Sequence, residues 1–386
     1  MKKTIMALLL ALFLLLLLST ASVPEELLRF DVSVKHEIER SINQGLAFLA
    51  GTQKVDGSWS QYPGVTSLVL TAFLRAPEKT RLQYDRNIQT GFNNLLTFTH
   101  ENGGIYPENE PQLRAYNTSV ALMALVAAND PRFKEIITNA RDYLISMQAD
   151  EDEGLTLDSS TYGGIGYNRD ERSDISNMQF ALEALRASED YKPKTEYAGI
   201  KEYRGEVSRD IAETSNKELF WEKAIIFLQR CQNYKKYNQY GWSSNDGGFV
   251  YYPGNSKAGG TTSYGSITYA GMKSLIHAGL TKDDERVQAA YKWISSNYTV
   301  EKNPELDRQG LFYYYHVMAK ALTVFGDSLL TDTSGANHDW RYDLANKLLT
   351  IQQANGSWVN DSGRWWENNP DLVTAYCLMA LEEISK

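Results

Sequence analysis

The chain has 386 residues, of which 42% are hydrophobic and 23% charged, with a formal net charge of −9. Length and composition are those of a globular protein with a large core, and the acidic balance argues against nucleic-acid and anionic-membrane partners. The two cysteines, Cys231 and Cys377, are too few for a disulfide framework; Cys377 reads as a core residue, and pairing of the two stays open.

Met1-Lys2-Lys3 is a charged start, and residues 5–18 form an apolar run. That run is shorter than the roughly 20 residues a membrane span requires. Small residues at Ser19-Thr20-Ala21 suit a signal peptidase. Residues 1–22 therefore read as a secretory signal peptide, with an uncleaved N-terminal anchor as the alternative. Export to a periplasmic, cell-surface or extracellular site is expected. Residues 23–386 read as one domain, and no later stretch is expected to cross a membrane. Loss of Lys2 and Lys3 takes the charge from −9 to −11.

Residues 34–75 predict a first helical hairpin, because Ile42, Leu46 and Leu49 keep a helical spacing. Its turn is Gln53-Lys54-Val55-Asp56-Gly57-Ser58-Trp59, and a near copy stands at Gln352-Gln353-Ala354-Asn355-Gly356-Ser357-Trp358. Gly after Asp or Asn suits a helix stop, and each Trp can fold back over the preceding helix. The second pair is residues 88–99 and 116–128, with Asn102-Gly103-Gly104-Ile105-Tyr106 between. A third outer helix, residues 133–148, leads into an acidic, Gly- and Tyr-rich loop at 149–174. Asp150, Asp152, Gly154, Thr156 and Asp158 alternate there, but the calcium-loop Gly and Glu positions are unfilled. It reads as a solvated acidic loop. Residues 189–217 read as a charged insertion, either a lid or a decorated loop. The fourth pair is 219–232 and 264–278, the fifth outer helix 285–296, and the sixth pair 342–353 and 372–384.

Six segments align on a common Leu: residues 67–74, 118–125, 178–185, 268–275, 315–322 and 374–381. Their fourth and seventh places are mostly small, which marks helix faces that neighbours approach closely. The spacings between successive Leu residues are 51, 60, 90, 47 and 59. These are too irregular for an open solenoid and suit six hairpins with variable loops.

On these turns and repeats the chain resembles the prenyltransferase and squalene-cyclase repeat family. The Gln…Gly-Ser-Trp turns look like that family's Gln-Trp motifs, and Asp246-Gly247-Gly248-Phe249 and Tyr162-Gly163-Gly164-Ile165-Gly166-Tyr167 look like degenerate copies. The resemblance covers nearly all of residues 23–386. It implies an all-α fold, an α/α toroid of six inner helices ringed by six outer ones around a central cavity. Inner helices are expected to start near Thr66, Thr118, Ser176, Tyr264, Phe312 and Leu372.

The family's cyclases protonate an alkene with an Asp-x-Asp-Asp acid, and this sequence has none. Its nearest acidic runs are Asp150–Glu153, in a loop, and Asp283-Asp284, at a helix start where acids suit the dipole. The family's prenyltransferases hold zinc on an Asp-x-Cys pair and a His. The matching region, residues 262–271, holds neither Asp nor Cys, so no metal and no cofactor is expected. A Gly-x-Ser-x-Gly nucleophile elbow is also absent.

Three functional classes follow. The first is a toroid that binds, or transforms, an apolar isoprenoid-like molecule. The second is a glycan-binding or carbohydrate-active toroid, since sugars stack on aromatics such as Trp365-Trp366 and carboxylates cleave glycosides. The third is a scaffold without a small-molecule site. If there is a site, it is expected at the fourth and fifth connectors with a contribution from the sixth. Asp246, Tyr264, His316 and Asp371 are the candidate catalytic residues, and Ser263, Tyr269 and Tyr314 the candidate ligand-binding residues. Asp246 and Asp371 equally suit turn and cap roles, and His316 a core role.

Overall fold

The computed structural model describes residues 32–109, 111–169, 172–189, 191 and 207–385. The expected signal peptide lies outside the described residues. So does most of the charged insertion, of which residues 207–217 instead form the first turns of the fourth outer helix.

Twelve long helices alternate between two layers among the described residues. The outer ones are α1 (Val32–Thr52), α3 (Asp85–Leu96), α5 (Lys134–Ser146), α7 (Val207–Cys231), α9 (Glu285–Ser296) and α11 (Trp340–Ile351). The inner ones are α2 (Pro63–Arg75), α4 (Arg114–Ala128), α6 (Ile175–Glu189), α8 (Gly265–His277), α10 (Leu311–Phe325) and α12 (Pro370–Ile384). Each inner helix packs on the next inner helix, and α12 packs on α2, so the ring closes. The chain is an all-α α/α toroid with its core between the two layers. A two-stranded ribbon, Leu330–Thr331 against Asn337–His338, decorates the rim.

The layers differ in sequence for a physical reason. An outer helix buries one stripe, as α3 does with Ile88, Gly91, Phe92 and Leu95. An inner helix is enclosed by two inner neighbours, an outer helix and the axis. Hence α2 is buried continuously from Pro63 to Phe73. Small residues permit the approach: a Cβ at Gly271 would lie 2.5 Å from the Phe249 ring.

The repeated turn staples each hairpin to the next outer helix. Gln53 Nε2 donates to Gly57 O inside its own turn and to Asn87 O on α3, both at 2.9 Å. Gln148 repeats this with Gly163 O and Phe220 O, and Gln232 with Gly247 O and Arg286 O. The glycine is needed for two reasons. Gly57 has φ +86°, and a Cβ there would sit 2.2 Å from Thr90 O. Each turn also ties inward: Trp59 N donates to Thr66 Oγ1 at 3.3 Å and Trp358 N to Thr374 Oγ1 at 3.1 Å. The indole N–H groups donate back to the preceding outer helix, Trp59 to Leu49 O and Trp358 to Leu348 O.

Asp150 caps a short 3₁₀ turn and, with Glu151, pairs with Lys223 on α7. The acidic loop is thereby pinned to the outer layer. Asp284 caps α9 through Arg286 N. Cys231 and Cys377 are both free and buried. Among the described residues no helix is long and apolar enough to cross a membrane.

Candidate functional site

The N-terminal ends of the six inner helices converge on one cavity of about 380 Å³. That lies within the roughly 300–1,000 Å³ typical of small-molecule pockets. The position two residues before each aligned inner-helix segment faces it: Val65, Tyr116, Ser176, Ser266, Tyr313 and Leu372. Phe180 and Tyr376, one turn further along, and Ile267, next to Ser266, also line it. Connectors supply Tyr62, Tyr167, Tyr251, Tyr264, Trp365 and Trp366. Ten of the lining residues are aromatic, so the wall presents π-faces to an apolar guest. Glu367 is the one carboxylate among them.

The helix starts are sealed by neighbours rather than left to bind a ligand. Gly64 N of α2 donates to Asn117 Oδ1 of α4 at 3.0 Å, and Ala115 N of α4 donates to Tyr167 O at 3.1 Å. Asn177 N of α6 donates to Asp174 Oδ1 at 2.9 Å, and Ser266 N of α8 to Asn303 Oδ1 at 2.9 Å. Tyr313 N of α10 donates to Glu367 Oε1 at 2.8 Å, and Asp371 N of α12 to Asn369 Oδ1 at 2.9 Å. Each cap satisfies amides that the helix itself cannot pair.

Two buried carboxyls stand in this ring. Burial pushes Glu367 up to about 7, against the downward pull of α10 backbone N–H groups and Asn360. Burial also pushes Asp174 up to about 6, although Asn177 and the Tyr251 hydroxyl donate to it. Tyr376 and Tyr116 share a hydrogen bond, and burial pushes Tyr116 up to about 12. The phenols thus stay neutral and can orient one polar group of a guest.

The mouth is framed by Trp365 and Trp366, 43% and 44% exposed. Both have left-handed backbone, φ 56° and 64°. Non-glycine residues in this region cost about 1–3 kcal/mol each and collect at functional sites. Trp366 packs on Tyr62, ring centroids 4.6 Å apart, and Trp365 lies under Arg364 at 4.2 Å.

The candidates from sequence fall in different places. Tyr264 lines the cavity. Asp246 is an exposed turn residue whose Oδ1 accepts from Gly248 N and Ser263 Oγ, both at 2.8 Å. Ser263 is buried behind it and also accepts from Asn233 Nδ2 at 2.8 Å. Tyr269 and Tyr314 pack edge to face between α8 and α10, ring centroids 5.6 Å apart, and Tyr314 Oη donates to Thr299 O at 2.6 Å. Asp371 accepts from Thr52 Oγ1 at 2.7 Å, beside the end of α1. His316 lies behind Tyr376, ring centroids 5.1 Å apart, and burial with Lys320 nearby keeps it neutral. Of the seven, only Tyr264 contributes to the cavity wall. The wall residues Tyr116, Phe180, Tyr251, Tyr313, Tyr376 and Glu367 were not singled out from sequence. The signal that could have found the first ring of them is the place two before each aligned segment.

No family model and no curated protein sequence matches the chain. Solved structures do. The type II terpene cyclase MstE from Scytonema, in complex with geranylgeranyl dihydroxybenzoate, aligns at TM-score 0.54 and 14% identity over 92% of this chain and 98% of that one. The same cyclase without ligand aligns at 0.54 and 14% over 90% and 98%. A protein from Actinoplanes aligns at 0.51 and 14% over 90% and 100%. The chain has a terpenoid-cyclase-like α/α toroid fold.

Proposed function

We propose that this chain is an exported toroid protein that binds an apolar, isoprenoid-like molecule in its central cavity. The observation that carries the reading is the wall of ten aromatics with a single carboxylate. A glycosidase would place two carboxylates across such a site. Binding is the function assigned, because no Asp-x-Asp-Asp acid is in the sequence and Glu367 is tied to backbone N–H groups. The structural neighbour MstE, solved with geranylgeranyl dihydroxybenzoate, supports an isoprenoid class of guest. Export rests on the character of residues 1–22; N-terminal sequencing of the exported protein should begin near Ser22 or Val23.

Native mass spectrometry of protein purified from its own host should show a co-purifying lipid. Geranylgeraniol should then quench the fluorescence of Trp365 and Trp366, and Ile267→Trp, which fills the cavity, should weaken that response at least tenfold. Absence of both a lipid adduct and quenching would sink the proposal. The exposed Trp365 and Trp366 support glycan stacking as a second reading. Saturable calorimetric binding of an oligosaccharide, unaffected by Ile267→Trp, would favour it.

A further inference from the structure

Two adjacent inner helices bring an amine, an amide and a carboxylate together away from solvent. Lys273 on α8 and Gln179 on α6 are both 0% exposed. Glu183 is buried as well and stands four residues after Gln179, on the same face of α6. Lys273 Nζ donates to Gln179 Oε1 at 2.5 Å and to Glu183 Oε2. Lys320 on α10 donates to the other oxygen, Glu183 Oε1. The Gln179 amide nitrogen has no partner among the described residues.

These contacts hold a nucleophile against an acyl group. With Nζ 2.5 Å from Oε1 and a C=O bond of about 1.23 Å, Nζ is at most about 3.7 Å from Gln179 Cδ. Atoms poised to react stand about 3–3.5 Å apart. The amide nitrogen is an unpaired buried group, and such groups in a native core call for an explanation. As a leaving group it gives up no hydrogen bond. Water is excluded from the three side chains, which keeps an acyl transfer between them free of hydrolysis.

We propose that Lys273 and Gln179 join in an isopeptide bond, a self-catalysed cross-link between α6 and α8 with Glu183 as the proton carrier. Lys273 passes a proton to Glu183 along their hydrogen bond, and the neutral Nζ attacks Gln179 Cδ. As the Nζ–Cδ bond forms, Nζ gives up a second proton, and Glu183 relays one to Nε2. The Cδ–Nε2 bond breaks and ammonia leaves. One hydrogen stays on Nζ, and the remaining proton stays on Glu183. No oxidant or reductant enters the step.

The first proton transfer is the slow part. Burial would raise Glu183, but Lys273 and Lys320 outweigh it and hold it well below the usual range. Glu183 takes the proton rarely, so the bond forms after folding, once the helices are packed. The reaction also respects the charges of the interior. Glu382 on α12, which packs on α10, is a second buried carboxylate beside two buried lysines. Loss of the Lys273 charge with protonation of Glu183 removes one charge of each sign. The link spans 94 residues and closes the longest connector, the one that carries the charged insertion. A cross-link of this kind restrains the unfolded chain. It does not depend on what the aromatic cavity holds.

Peptide mapping tests this. Protein purified from its own host, stored overnight, unfolded and digested with trypsin should yield residues 173–186 joined to residues 258–282. That species should be uncut at Lys273 and one ammonia lighter than the two peptides together. Recovery of 173–186 alone, with cleavage after Lys273, overturns the proposal. Glu183→Gln removes the proton carrier and should yield only the separate peptides. A cross-link undiminished in that variant overturns the proposal as well. If the variant does not fold, the wild-type map decides alone.

Discussion

The Gln352 side-chain amide donates to the Ser41 carbonyl at 3.0 Å across 311 residues, and the Ser41 hydroxyl returns a bond to Gln352 Oε1 at 2.8 Å. These bonds lie on the seam where α11 meets α1. The same amide also donates to Gly356 O at 2.9 Å, so the sixth turn closes the ring as the others extend it. Gln352→Ala is expected to cost about 2–3 kcal/mol, at about 1 kcal/mol for each hydrogen bond lost. Urea denaturation measures it. An unchanged midpoint would mean that the seam is held by other contacts.

Trp358 is fully buried with its indole N–H paired, so Trp358→Ala should cost roughly 3–5 kcal/mol. Gly271→Leu drives a side chain against Phe249, where even a Cβ would lie at 2.5 Å, and should cost roughly 1–3 kcal/mol. Thermal unfolding followed by circular dichroism checks both. Wild-type Tm in either variant would contradict the packing described.

Asp246 and Tyr264 should separate in a binding assay. Asp246→Asn perturbs an exposed turn and should leave geranylgeraniol affinity within twofold. Tyr264→Ala removes cavity wall and should weaken it about tenfold, or about 1.4 kcal/mol. The opposite ranking would move the site to the fourth connector.

The contributions of Asp174 and Glu367 to stability should fall as pH rises across the acidic to neutral range, opposite in sign to that of His277, which burial pushes down to about 4. Asp174 and Glu367 have folded-state values raised to about 6 and about 7 by burial. Each binds its proton more tightly folded than unfolded, so its contribution is full below the ordinary carboxyl value and lost through those pH values. For Glu367 the loss is up to about 3 kcal/mol between pH 4 and 7. Glu367→Gln should flatten that part of the profile, measured as unfolding free energy at several pH values. A variant with the wild-type slope would show that Glu367 does not titrate there.

The sequence by itself pointed to an all-helical fold of two alternating helix layers. Small residues three apart and Gln…Gly-Ser-Trp turns encode helix contact and chain reversal, which are local matters. They located six inner helices to within a few residues, and Asp283-Asp284 at the start of an outer helix. It did not determine which tyrosines face the axis. Tyr264 and Tyr269 differ by five residues, yet one lines the cavity and the other packs between helices. Inner helices are buried on every face, so periodicity cannot say which face meets the axis. Nor could it show that Glu367 caps a helix start 54 residues earlier. That pairing exists only once the sixth connector is folded over α10. The tertiary structure also decided that Lys273, Lys320 and Glu183 meet, because three separate helices bring them to one point on the axis.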